Sequence, residues 1–129
     1  MSSAPPRLKR RRDFLRAASH GRKAAAPGLV LQAITREDGG TGLRCGFTAS
    51  KRVGNAVVRN RVRRRLRAIA AEILPARATV GFDYVLIGRA ATANRSYDAL
   101  RRDLIAALSR LKLCQDAAQP TSGALRERS

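Results

Sequence analysis

The sequence has no tryptophan, one histidine, two cysteines and only nine acidic residues among its 129. Each shortage excludes something. Cys45 and Cys114 stand far apart and have no metal-ligand spacing with His20, so they read as free thiols of a reducing compartment. Cys45, on an apolar strand, reads as core. A nuclease acting through its own side chains needs clustered carboxylates to hold metal ions. Asp13, Glu37, Asp38, Glu72, Asp83, Asp98, Asp103, Asp116 and Glu127 are scattered, and the adjacent pair Glu37-Asp38 reads as a solvated turn. His20, beside Gly21, reads as a helix cap, and no serine has a base in view. No catalytic residue and no metal ligand is therefore expected in the protein. There is no run of 18 apolar residues to span a membrane. The start, Met1-Ser2-Ser3-Ala4-Pro5-Pro6, lacks the apolar stretch of a signal peptide. The expectation is a cytoplasmic protein.

What abounds is positive charge. Lys and Arg total 27, giving a formal net charge of +18 and a pI of about 11.8. Such a chain repels itself until a polyanion neutralises it, and nucleic acid is the expected polyanion. An anionic membrane surface is the rival, but it calls for an amphipathic helix rich in Trp or Phe. Here the three Phe are dispersed. Lysine occupies only positions 9, 23, 51 and 112. Arginine pairs bidentately with phosphate and stacks on bases, which suits structured RNA. The alanine-rich composition leaves codon bias as a second source of that preference.

Residues 1–10 read as a disordered basic arm, 11–114 as one domain and 115–129 as a disordered polar tail. A short helix is expected from about Asp13 to Ser19, ended by Gly21, and 24–28 reads as a connector or a short edge strand. Leu29–Thr35 alternates as a strand with Leu29, Leu31 and Ala33 on one face. The turn Glu37–Gly42 predicts a hairpin whose returning strand, Leu43–Ala49, points Leu43, Cys45, Phe47 and Ala49 inward. Asn55 is placed to cap a helix that Pro75 should stop at Leu74. A strand follows in Val80–Gly88. Ser96 caps a last helix with the stripe Leu100, Leu104, Leu108 and Leu111. The fold class is α+β, with helices against one small sheet.

The helix after Asn55 carries the information. On a wheel of about 100° per residue, Val58, Val62, Leu66, Ile69 and Ile73 form a stripe about 80° wide that must face the sheet. Asn60, Arg63 and Arg67 then share one flank; Arg61, Arg64 and Arg65 share another sector. Arg59 lies nearest the stripe on the first flank. No acid sits at i,i+4 to these arginines, and like charges at that spacing destabilise a helix. An external polyanion is the natural compensation.

Val53, Ala56, Arg59-Asn60-Arg61, Val62, Arg63, Arg64, Leu66 and Arg67 resemble the signature of the bacterial ribonuclease P protein family. Arg7-Leu8-Lys9, Asp13-Phe14, His20-Gly21, Ser50–Val57 and Asp83–Arg89 extend the resemblance over about residues 7 to 113. It implies an αβββαβα sandwich with the Arg-Asn-Arg helix in a left-handed crossover between parallel strands, against the usual hand. It also implies the protein subunit of an RNA enzyme that removes the 5′ leader of precursor tRNA. The Mg²⁺ is then bound mainly by RNA and substrate, the partners are the catalytic RNA and precursor tRNA, and no membrane or obligate protein partner is needed. By the same resemblance Lys51, Arg52, Arg59, Arg61, Arg64 and Arg65 face the RNA subunit. Phe14, Val30, Gln32, Thr48, Asn60, Arg63 and Arg67 face the leader. Two departures stand out: Ala18 where a second aromatic is common, and Gln32 where tyrosine is. The leader cleft is thus expected to grip less by stacking and more by charge. A ribosomal or other structural RNA-binding protein is the alternative. A DNA-binding module lacks the second helix of a helix-turn-helix.

Overall fold

The computed structural model describes residues 5–115. Its elements run α1 (Arg11–His20), β1 (Arg22–Ala26), β2 (Leu29–Thr35), β3 (Arg44–Thr48), α2 (Ala56–Arg77), β4 (Phe82–Gly88) and α3 (Tyr97–Arg110). Short 3-10 turns occupy Lys51–Val53 and Ala90–Ala93. The order is the expected αβββαβα.

The sheet order is β1-β2-β4-β3, and it corrects the hairpin expected between Leu29–Thr35 and Leu43–Ala49. β2 instead forms its hairpin with β1, through Pro27-Gly28, in the segment read as a connector or short edge strand. β4 enters between β2 and β3, antiparallel to the first and parallel to the second. The reason lies in Tyr84-Val85-Leu86, which are buried in succession. A strand apolar on both faces needs neighbours on both sides and belongs in the middle of the sheet. β3, α2 and β4 then form the crossover between parallel strands.

One sheet face carries the main core. Leu29, Leu31, Tyr84 and Leu86 meet Val62, Leu66 and Ile69 of α2 and Leu100, Leu104 and Leu108 of α3. The stripe read from the wheel is buried except for Val58, which is half-buried. Asn55 caps α2 as expected, its Oδ1 accepting from the Val58 N–H at 3.0 Å. The helix does not stop at Leu74. It continues through Pro75 to Arg77 because Pro75 sits exposed while Ile73, Leu74 and Ala78 are buried and hold the last turn against the core. Gly28 has no room for a Cβ, which would strike Asp103 and Leu100 of α3.

The opposite face is covered by α1, through Ala17 and the half-buried Phe14, and by Leu8. Within residues 5–10, expected as part of a disordered arm, Pro6–Leu8 pair with the outer edge of β3. The Leu8 N–H donates to Cys45 O and the Cys45 N–H to Pro6 O, both at 2.9 Å. Pairing an edge strand this way removes its open hydrogen-bonding groups. The rest of the expected arm, 1–4, and the tail from 116 onward lie outside the described residues.

Cys45 is 1% exposed, and burial pushes its thiol up to about 11. Only thiolate alkylates readily. Iodoacetamide at pH 8 is therefore expected to label the half-buried Cys114 and to spare Cys45 until the protein is denatured. Two adducts on the native protein, counted by mass spectrometry, would contradict this burial.

Candidate nucleic-acid interface

On the α1 side, strand pairing sets side chains in rows across the sheet. Val30 lies opposite Ile87, and Ile87 opposite Thr48. Gln32, Val85 and Gly46 form the next row, and Ile34, Asp83 and Arg44 the third. α1 and Leu8 close over the second and third rows. The Phe14 ring rests on Gly46, where any Cβ would collide with it. The first row stays partly open: Val30, Ile87 and Thr48 floor a shallow trough with Phe14 beside it. Gln32, in the second row, is 6% exposed. Exposed Lys23, paired with Gln32 on edge strand β1, stands at the rim.

Phe14, Val30, Gln32 and Thr48, which the family resemblance gave as part of one set, lie on one face. Ile87 and Lys23 were not named. Their signal is strand order: Ile87 joins the floor only because β4 lies between β2 and β3.

α2 crosses the ends of β3 and β4, where Val62 packs on Gly88 beside the Thr48 carbonyl. Its arginines fall in two groups. Arg63 Nη2 donates to Asn60 Oδ1 at 2.5 Å, so these two share a flank. Arg61 Nε donates to Ala93 O at 3.1 Å, and Arg65 donates to the carbonyls of Thr92, Ala93 and Arg95. That second group leans on the turn after β4. Arg64 is exposed, as are Lys51 and Arg52 in the turn before α2. The Nε atoms of Arg59 and Arg67 are buried and without a partner among the described residues.

The acids complete the electrostatics. Asp13 pairs with Arg10, Glu37 with Arg12 and Arg16, and Asp38 with Arg36. Asp83 pairs with Arg44, Asp103 with Arg95, and Glu72 and Asp98 with Arg101. Every described carboxylate is taken by an arginine outside α2. The Arg36 guanidinium and the Gly40 N–H hold the Asp38 carboxyl far below the usual range, and hydrogen bonding to Asp83 raises Arg44. The arginines from Arg59 to Arg67 keep their charge uncompensated among the described residues. Among those residues no group of His, Cys, Asp and Glu gathers as a metal site, and no helix is long and apolar enough to cross a membrane.

This geometry coincides with a family. The family model "Ribonuclease P" matches residues 3–112. The chain belongs to the ribonuclease P protein family. It is 52% identical over 120 residues to the ribonuclease P protein component of Paramagnetospirillum magneticum, covering 89% of each chain. With that of Ruegeria pomeroyi it shares 50% over 106 residues, covering 81% of this chain and 84% of the other. The ribonuclease P protein from Thermotoga maritima superposes with a TM-score of 0.69 at 27% identity, over 81% of this chain and 96% of that one. That of Staphylococcus aureus shows the same fold, with a TM-score of 0.70 at 24% identity over 83% and 95%. These matches favour a ribonuclease P protein over a ribosomal or other structural RNA-binding protein.

Proposed function

We propose that the protein holds the catalytic RNA of ribonuclease P with one flank of α2 and the 5′ leader of precursor tRNA with the other. The observation that carries this reading is the uncompensated arginine run on a helix that crosses the open end of an apolar trough. Lys51, Arg52, Arg61 and Arg64 contact phosphates of the RNA subunit, with Arg65 in the same sector and Arg59 joining them from the edge of the first flank. Phe14, Val30, Gln32 and Thr48 line the leader path, and Asn60, Arg63 and Arg67 hold its backbone. A wide RNA surface contacted through shape and phosphate suits arginine. Cutting belongs to the RNA. The protein's own carboxylates do not fit a metal site, since each described one is engaged by an arginine. Mg²⁺ supplies the activated water and charge neutralisation where the RNA and substrate bind it.

Reconstitution tests this. The RNA subunit with this protein is expected to remove the leader from precursor tRNA at low Mg²⁺, and the protein alone to leave it intact. Cleavage by the protein alone would place the active site in the chain and overturn the reading.

The trough gives a finer expectation. With one aromatic at its wall, Phe14→Ala should weaken leader affinity by less than about tenfold, at the low end of the roughly 1–3 kcal/mol that stacking contributes per base. Arg63→Ala and Arg67→Ala should each lower the salt dependence of leader binding by about one phosphate contact. A steep loss in Phe14→Ala with salt dependence unchanged would show that stacking dominates after all.

A further inference from the structure

Arg61 and Arg65 stand one helical turn apart and donate to the same acceptor. Arg61 Nε reaches the Ala93 carbonyl at 3.1 Å and Arg65 Nη1 reaches it at 2.8 Å. A carbonyl oxygen has two lone pairs and accepts both. Arg65 also donates to Thr92 O from Nη1 at 2.8 Å and to Arg95 O from Nη2 at 2.5 Å. Three carbonyls of one turn therefore converge on one guanidinium. The turn is braced from within. Thr92 is wholly buried, its hydroxyl donating to Gly28 O at 2.6 Å and accepting from the Arg89 N–H at 2.8 Å. Arg95 is tied to Asp103 by two hydrogen bonds.

The two arginines differ in what they have left. Arg61 is exposed, and among the described residues only its Nε is engaged, so both Nη groups remain. Arg65 is half-buried with both Nη groups in use. We infer that Arg65 is a positioning residue for RNA binding: it fixes the Ala93 carbonyl, which holds Arg61 by Nε and leaves its Nη pair for a phosphate. This rests on the reading of Arg61 as an RNA contact. A free arginine loses rotamer freedom when it meets its phosphate, whereas one already tied at Nε loses less. The gain in affinity should be about three- to tenfold.

The test measures affinity of the full chain for the RNA subunit across a salt series. Arg61→Met should weaken binding and reduce the slope of log affinity against log salt by about one. Arg65→Met should weaken binding about three- to tenfold with the slope unchanged, and should add nothing in the Arg61→Met background. Arg65→Lys keeps the charge but gathers its donors on one nitrogen, without the fork whose Nη1 and Nη2 span these carbonyls, so it should behave like Arg65→Met. If Arg65→Met fails to fold by circular dichroism, Arg65→Lys carries the test. The inference is overturned if Arg65→Met lowers the slope, loses affinity additively with Arg61→Met, changes nothing, or if lysine restores binding. If Arg61→Met itself alters neither affinity nor slope, the RNA-facing reading of that flank fails, and the inference with it.

Discussion

Replacing Arg59, Arg61 and Arg64 together by alanine is expected to weaken binding of the ribonuclease P RNA by about 10²–10³-fold at 0.1 M salt. Each phosphate neutralised by Lys or Arg releases condensed counterions and contributes about 0.9 to the slope of log affinity against log salt on duplex. Five contacts, from Lys51, Arg52, Arg59, Arg61 and Arg64, give a slope of about −4.5, so the parent should lose several hundredfold between about 50 and 200 mM salt. The triple variant should retain a slope of about −2. The control is Arg12, Arg36 and Arg101, each engaged by a carboxylate. Replacing these three removes the same formal charge, but from sites already neutralised, and should change affinity by no more than about threefold. Equal losses in the two triples, measured by filter binding, would mean that the RNA senses net charge and not this helix.

How far the sequence discloses such a surface depends on the range of the interactions that build it. Most of what is local to α2 is legible, its continuation through Pro75 to Arg77 excepted. Asn55 announces the cap, the Val62–Ile73 stripe fixes the rotation, and the arginine flanks follow from that rotation at 3.6 residues per turn. The fold class is legible too, because helix and strand periods differ. Strand order is not. The turn chemistry of Glu37–Gly42 fits a hairpin, and only the competition for β2 between β3 and the apolar β4 decides against it. Ile87 in the trough floor was hidden for that reason. Hidden as well was the engagement of Arg65. On a wheel it looks like Arg61 and Arg64, and its acceptors at Thr92, Ala93 and Arg95 are some 30 residues away in the chain. Composition also hid the pairing of Pro6–Leu8. Proline and charge suggest disorder, yet the open edge of β3 offers Pro6 and Leu8 partners that no local pattern reveals.

Arg44→Met is expected to destabilise the protein by about 3 kcal/mol, at the lower end of what breaking a buried ion pair costs. Asp83 is 0% exposed, and both its oxygens accept from Arg44 at 2.8 Å. Without the guanidinium the carboxylate stays beneath α1 with no partner. The Arg44 side chain is itself 19% exposed, so some water can enter, which sets the lower end of the range. Against a total stability of about 5–15 kcal/mol, this should lower Tm by about 10 °C or more. Arg44→Met/Asp83→Leu should recover most of the loss, because an apolar pair of similar volume has no charge to desolvate. The double variant separates this cause from lost packing of the arginine stem, which it would not restore. The pair lies in the row covered by α1, the helix that presents Phe14 to the trough, while α2 is held by the core on the other face. Arg44→Met should therefore weaken leader binding at temperatures where RNA-subunit binding is still intact. Simultaneous loss of both on warming would mean that the two faces of the sheet unfold as one unit.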